Sequence, residues 1–216
     1  MVVRGKSTDG PISKLINRRI SMRITRFILD YNLKITPNQV SIISFLISIF
    51  SYPLYVFGEV VWAGVLVQLA SIIDGVDGEL ARALGVASRL GAFFDAFLDR
   101  IADIAIVIGM ASYLALHGYG FNMTTFTIVL GALSGCLMVS YLHSKSQQDL
   151  KVHPALVGRI PMFASRDVRL FIVFIGSITG LVFEALLSLF ILTYSYSISK
   201  FAELIYIFKH ARRTTG

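Results

Sequence analysis

Charge is scarce in this 216-residue chain: Asp, Glu, Lys and Arg together make up 15% of it. An ordinary soluble domain carries about 25%. With 55% hydrophobic residues and a mean hydropathy of +0.71, a soluble globule is excluded. Cysteine is nearly missing too. Cys136 stands alone inside an apolar run, which rules out a disulfide framework or a thiolate metal site within one chain and leaves it a packing role. The opening MVVRGKSTDGPISKLINRR has neither an apolar h-region nor a small-residue cleavage site, so it does not read as a signal peptide, and targeting is expected to come from the body of the chain. Internal repeats and low-complexity segments are also absent.

What the chain does have is apolar runs approaching the roughly 20 residues needed to cross a ~30 Å hydrocarbon core. The expected fold is all-α: a polytopic membrane protein with six transmembrane helices preceded by an amphipathic surface helix. Residues 1–35 form the N-terminal amphipathic juxtamembrane segment, and residues 36–216 the membrane domain. In the first segment Ile12, Leu15, Ile16, Ile20, Ile24, Phe27 and Ile28 recur at helical spacing, with Lys14, Arg18, Arg19, Arg23 and Arg26 mostly between them. Packing on a soluble partner is the competing reading of that face. Thr36-Pro37-Asn38 then supplies a cap residue followed by proline at the first helical position. The spans read Val40 to Phe57, Val60 to about Leu84, Leu90 to about Leu116, Met123 to about Leu142, a fifth around Arg169 to Ser177 that can start earlier, and Leu181 to about Phe208.

Loop charge tests that count independently, because Lys and Arg concentrate on the cytoplasmic side. The N-terminal segment, the turn at Arg82 and Arg89, the connection with Lys145, Lys151, Arg159 and Arg166, and the tail with Lys209, Arg212 and Arg213 are basic. Connections near Gly58, Gly118 and Gly180 contain no Lys or Arg. The alternation requires an even number of spans with both termini cytoplasmic. The net charge of +7 is therefore assigned to topology and anionic head groups, with no nucleic-acid partner. Arg100 and Lys200 alone fall well inside predicted helices, and Lys200 can either snorkel or line a cavity.

Spans two and three hold Asp74, Asp77, Asp95, Asp99 and Asp103, although an acid at a helix centre costs about 2.5 to 3.5 kcal/mol on insertion scales. Asp74 and Asp77 are spaced i, i+3 and Asp95 and Asp99 i, i+4, so each pair shares a helical face. With the turn at Val86, Asp77 and Asp95 each lie nine positions away, Asp74 twelve and Asp99 thirteen. At ~1.5 Å per residue both pairs reach matched depth, roughly 13 to 20 Å from the turn. Four carboxylates converging in a low-dielectric pocket require cations, and oxygen donors select a hard divalent ion: Mg²⁺, Mn²⁺ or Ca²⁺, one or two of them. Gly75, Gly78 and Gly91 permit close approach, and Arg82 adds a phosphate-matching fork. Carboxylates, metal and guanidinium together point to a pyrophosphate ligand.

Asp74-Gly75-Val76-Asp77-Gly78-Glu79-Leu80-Ala81-Arg82, followed by Gly91-Ala92-Phe93-Phe94-Asp95-Ala96-Phe97-Leu98-Asp99, resembles the signature of the CDP-alcohol phosphotransferases, D-x-x-D-G-x-x-A-R, a gap of eight, then G-x-x-x-D-x-x-x-D. All eight fixed positions match. The resemblance implies six transmembrane helices behind an amphipathic helix, a homodimer, and transfer of a phosphoalcohol group from a CDP-alcohol to an acceptor hydroxyl with release of CMP. It further implies that Asp74, Asp77, Asp95 and Asp99 bind two divalent cations, with Asp99 the general base. Arg82 would meet the donor phosphates, Gly78, Ala81 and Gly91 would leave room for the cytidine side, and Asn38 and Ser88 would touch the nucleotide. Asp103 and Arg100, one turn apart, read as a structural ion pair.

In the basic connection, Arg159, Arg166 and Arg169 are candidate acceptor-binding residues, against a purely topological role. His143 and His153 read as loop residues, having no partner at ligand spacing. Lys6-Ser7-Thr8-Asp9-Gly10 and Asn17-Arg18-Arg19-Ile20-Ser21 resemble the membrane half of hyperthermophile proteins that join inositol-phosphate cytidylyltransferase to di-myo-inositol-phosphate-phosphate synthase. That subgroup implies CDP-inositol as donor and inositol 1-phosphate as acceptor. The alternative is a phospholipid synthase using CDP-diacylglycerol or CDP-archaeol. A stand-alone synthase and a segment of a two-domain protein are both compatible with these residues. A cation transporter is the alternative of another class, but such sites usually lie between repeated halves, whereas these acids belong to one hairpin.

Overall fold

A computed structural model describes residues 9–118, 120 and 122–214. Lys6, Ser7 and Thr8 of the subgroup resemblance lie outside the described residues. Among the described residues, seven α-helices carry the fold: α1 (Arg18–Asp30), α2 (Pro37–Val56), α3 (Val60–Ala83), α4 (Arg89–Leu116), α5 (Met123–Lys145), α6 (Arg166–Ile178) and α7 (Val182–Thr214). No strand occurs among the described residues.

Local sequence accounts for the helix starts. Thr36 Oγ1 accepts from Gln39 N while Gln39 Oε1 accepts from Thr36 N, a capping box closed by Pro37 at the first position of α2. Ser88 caps α4 by accepting from Gly91 N at 3.0 Å, and Asn122 caps α5 by accepting from Thr125 N at 2.9 Å.

Among the described residues, four helices are long and apolar enough to cross a membrane: Pro37–Val56, Val60–Ala83, Met123–Leu150 and Val182–His210. The other two expected spans fall short for separate reasons. Helix α4 is 28 residues long but carries Arg89, Asp95, Asp99, Arg100 and Asp103 in its first 15 residues. Helix α6 has 13 residues, which at ~1.5 Å each cover about 20 Å.

The core runs between α2, α3, α4, α5, α6 and α7, around Tyr55, Val67, Ile106, Met110, Leu114, Ala132, Leu186 and Leu189. Close approach of backbones replaces the hydrophobic effect where the surroundings are lipid. A Cβ on Gly64 would strike Ser177, so that glycine lets α3 meet α6. Helix α2 presents a buried row of Ser41, Ser44, Ser48 and Ser51, and Ser44 Oγ donates to the Ala70 carbonyl of α3 at 3.1 Å. Both α3 and α4 pack closely on α2, and far less closely on each other. The gap left between them holds the site.

Helix α1 has three faces rather than two. Asn17, just before it, and Ser21, Thr25 and Ile28 turn inward; Ile20, Phe27 and Tyr31 are exposed, and Arg19, Arg23 and Arg26 lie at the remaining surface. The inward face is polar because α3 presents Gln68, Ser71 and Glu79 to it.

Candidate active site

Three of the four signature carboxylates meet. Oxygens of Asp74, Asp95 and Asp99 lie within 4.8 Å of one another. Asp77 is turned aside: its Oδ2 accepts from Ser41 Oγ at 2.5 Å, its Oδ1 from Gly78 N, and its side chain also hydrogen-bonds Asp95. The matched depth of the two pairs is therefore realised, while the rotation of Asp77 depends on α2. A set of three oxygen donors at this separation fits a hard divalent cation, with Asp77 reaching the cluster through Asp95.

A cavity of about 610 Å³ opens on one side, walled by the start of α2, the end of α3 and the start of α4. Asn38, Gly78, Ala81, Arg82, Ser88 and Gly91 all line it, with Asp77 and Asp95 at its inner end. Gly91 faces Ser88 Oγ and the Asn38 amide oxygen, where a side chain would narrow the opening.

On the other side lie two cavities. One, about 500 Å³, is lined by Asp99, Arg100, Ser140, His143, His153, Arg166 and Arg169 among others. Another, about 340 Å³, runs from Asp74, Asp95 and Asp99 to Asn17, Arg18 and Ser165. Arg166 lines both. Its NH1 lies 2.9 Å from Asp99 Oδ1 and 3.1 Å from Asp74 Oδ2, and its Nε donates to Asp103 Oδ1 at 3.1 Å. Arg169 NH1 donates to the Cys136 carbonyl at 3.0 Å and lies 3.4 Å from Asp103, whereas its buried Nε and the buried Ser165 Oγ have no partner. The Arg100–Asp103 pair, 3.3 Å, is thus one edge of a larger cluster that also reaches Asp99 at 3.6 Å and the Ser140 hydroxyl.

Arg159 does not join Arg166 and Arg169. It is exposed and lines none of these cavities; its backbone N–H donates to Glu203. The segment carrying it is tied down by Lys200, whose fully buried ammonium donates to the carbonyls of Val157 and Ile160 and to Glu203 Oε2. Lys200 therefore does not snorkel and lines none of these cavities.

Sequence reasoning missed two groups. Glu79 is buried at a variable signature position, where Arg18 NH1, Ser21 Oγ and Thr25 Oγ1 donate to it at 2.6, 2.7 and 2.7 Å. Burial alone would lower the Arg18 pKa, but its hydrogen bonds and ion pairs with Asp9 and Glu79 hold it above its ordinary value. The signal was available, since Glu79 is an acid in an apolar helix like the aspartates. His143 and His153 also belong to the site, ring centroids 5.3 Å apart, with His143 Nε2 2.8 Å from Tyr196 OH. Ten residues separate them across a helix end, where no helical spacing reveals proximity.

The chain matches the CDP-alcohol phosphatidyltransferase family over residues 34–197, three quarters of its length. It belongs to that family. Membership sets aside the transporter reading of the carboxylates. Among curated relatives, the bifunctional IPC transferase and DIPP synthase of Rubrobacter xylanophilus is 44% identical over 185 residues, covering 83% of this chain and 39% of that protein. The chain thus spans about two fifths of that relative's length. The archaetidylinositol phosphate synthase of Pyrococcus horikoshii is 36% identical over 148 residues, covering 68% of this chain and 71% of that one. The fold matches the crystal structure of Mycobacterium tuberculosis phosphatidylinositol phosphate synthase with CDP-DAG bound, with a TM-score of 0.72 and 23% identity over 87% of this chain and 94% of that one. A second structure of that enzyme contains manganese and citrate.

Proposed function

We propose that this chain transfers a phosphoalcohol group from a CDP-alcohol to an acceptor hydroxyl and releases CMP. The observation that carries the reading is one juxtaposition: the Asp74, Asp95 and Asp99 cluster stands between a cavity walled by the nucleotide-side signature residues and a cavity walled by arginines. A donor held by Asn38, Gly78, Ala81, Arg82, Ser88 and Gly91 would place its pyrophosphate at the carboxylates. The acceptor, held by Arg166 and Arg169, would approach from the opposite side. That opposition is what in-line displacement at phosphorus requires.

Asp99 faces the acceptor cavity and is the group placed to take the hydroxyl proton as the oxygen attacks the phosphorus bearing the alcohol. The new O–P bond forms as the bond to the CMP oxygen breaks. Asp74, Asp77, Asp95 and Asp99 would hold two divalent cations, Mg²⁺ or Mn²⁺, with Ca²⁺ able to occupy the same oxygens. When bound, they would orient the pyrophosphate and neutralise the charge building on the transferred group and on CMP.

For the substrate, Arg169, which lines the same cavity as Arg166 and keeps an unpartnered Nε, supports a phosphate-bearing acceptor. CDP-inositol with inositol 1-phosphate is the pair we infer. The second reading is a phospholipid synthase using CDP-diacylglycerol or CDP-archaeol. Exposed Leu90, Phe93 and Phe97 on α4, beside the nucleotide cavity, favour it by offering an apolar track for lipid chains. Product identification by mass spectrometry, after incubating the purified protein with a panel of CDP-alcohols and acceptors, separates the two. No CMP release from any donor, with Mg²⁺ or Mn²⁺ present, would sink both.

We further infer that α2 to α7 form six spans, α4 and α6 completing the bundle, in residues 36–216. The described part of the N-terminal segment, residues 9–35, would lie along the surface with Ile20, Phe27 and Tyr31 towards the head groups. The termini and site would face the cytoplasm, and the chain would pair as a homodimer. The charge pattern of the connections supports the orientation, and the exposed apolar strip between the inward face of α1 and its basic surface supports the surface helix.

A further inference from the structure

We propose that Arg166 is a resident cation of the carboxylate cluster, a positioning residue that must release Asp74 and Asp99 when a divalent ion enters and then turn towards the arginine-lined cavity. The inference rests on the reading of the cluster as a divalent-cation site. Arg166 NH1 reaches past Asp103 to stand 2.9 Å from Asp99 and 3.1 Å from Asp74, two of the three carboxylates that converge. An ion bound to that Asp99 oxygen at ~2.1 Å could lie no further than about 5 Å from the nitrogen, by addition of the two distances. Two cations that close, in a site where Asp99 is 16% exposed and Arg166 15%, repel strongly.

The side chain has somewhere to go without losing all its partners. Its Nε is held by Asp103, which Arg100 and Arg169 also neutralise, so the anchor survives when NH1 departs. Beyond it lies the cavity of about 500 Å³ that Arg166 already lines with Arg169. An anion there would draw the guanidinium away from Asp74 and Asp99. Metal and acceptor phosphate would then favour each other's binding, and the coupling is reciprocal.

The test is Mn²⁺ binding to the purified protein without nucleotide or acceptor, read from the free-ion EPR signal. Arg166→Ala should tighten Mn²⁺ by a factor on the order of ten, within the usual range of coupling between sites. Arg166→Lys should fall between, having one charge and no fork. A merely structural arginine predicts unchanged or weaker binding, and either result in Arg166→Ala overturns the proposal. Should Arg166→Ala fail to fold, Arg166→Lys gives a second measurement. Its new amine should be acetylated several-fold faster at saturating Mg²⁺ than without metal, resolved by mass spectrometry of that peptide; an equal rate overturns the proposal. If the wild type binds no Mn²⁺ beyond what Asp74→Asn binds, the cation-site reading fails first and takes this one with it.

Discussion

Asp99 and Asp74 belong to one cluster but face different neighbours, and their surroundings separate what each substitution should do. Asp99 looks into both cavities on the arginine side, Asp74 into the smaller of them only. Asp99→Asn keeps an oxygen for donor binding and loses the proton acceptor. Turnover should fall at least about 100-fold with CDP-alcohol affinity changing far less. Asp74→Asn should weaken metal and donor binding together. Near-normal turnover in Asp99→Asn would mean that another group is the base. The arginines divide in the same way. Arg169→Ala should raise the acceptor KM well above any change in donor KM, with Lys rescuing only in part, because the fork with its orphaned Nε is lost. Arg159→Ala should leave both KM values unchanged, since that side chain is exposed and outside the cavities. Steady-state kinetics with both substrates varied measures the split; equal effects at the two positions would dissolve the assignment. The aspartates were legible in sequence because a charge in an apolar helix has few explanations. The rotation of Asp77 was not, because Ser41 lies 36 residues away and its serine row reads as a small-residue face.

At the scale of elements, the register of α3 and α4 was legible and their separation was not. Counting from the turn gave equal depths, and the depths hold. Both helices pack mainly on α2, and sequence spacing says nothing about which third helix will hold two others apart. Helix α6 was hard to bound because 13 residues with Arg166, Asp167 and Arg169 at one end resemble a loop entering a short span. Helix α1 shows the same limit: its apolar periodicity was visible, but the polar stripe of Ser21 and Thr25 gained meaning only against Glu79. That seam fixes how α3, the helix carrying Asp74 and Asp77, sits on the N-terminal segment. Removing one partner of a buried ion pair costs about 3–5 kcal/mol when the other charge is left uncompensated; Arg18 would keep Asp9, but Ser21 and Thr25 would lose their acceptor as well. Glu79→Ala should therefore lower the melting temperature in detergent substantially. Arg18→Met combined with Glu79→Leu should recover part of the loss. A Glu79→Ala protein that melts like the wild type would show that the seam contributes nothing to holding α3.

For the molecule as a whole, the bundle has two chemically distinct ends, and contacts show which connections share one. His117 Nε2 lies 3.1 Å from the Val56 carbonyl, bringing the α4–α5 connection to the α2–α3 connection. Tyr55 OH lies 2.6 Å from Ser177 Oγ, bringing the end of α6 to the same level. These three connections, residues 57–59, 117–122 and 179–181, contain no Lys or Arg. The opposite end carries Arg82, Arg89, Lys145, Lys151 and Arg159, and the carboxylates open towards it. Positive charge remains on the cytoplasmic side because translocating it is unfavourable, so the site should face the cytoplasm. Cys136 is buried, and Cys136→Ala gives a background without thiols in which single cysteines report sidedness. Met123 and Leu181 are 78% and 49% exposed at the uncharged end, and Leu156 is 61% exposed at the basic end. In intact cells a membrane-impermeant maleimide should label Met123→Cys and Leu181→Cys at once, and Leu156→Cys only after permeabilisation. The reverse pattern would invert the molecule and place CMP release outside the cell. Labelling of Leu156→Cys and Leu181→Cys at once, with Met123→Cys labelled only after permeabilisation, would mean that α4 and α6, the two helices too charged or too short to qualify by composition, do not cross.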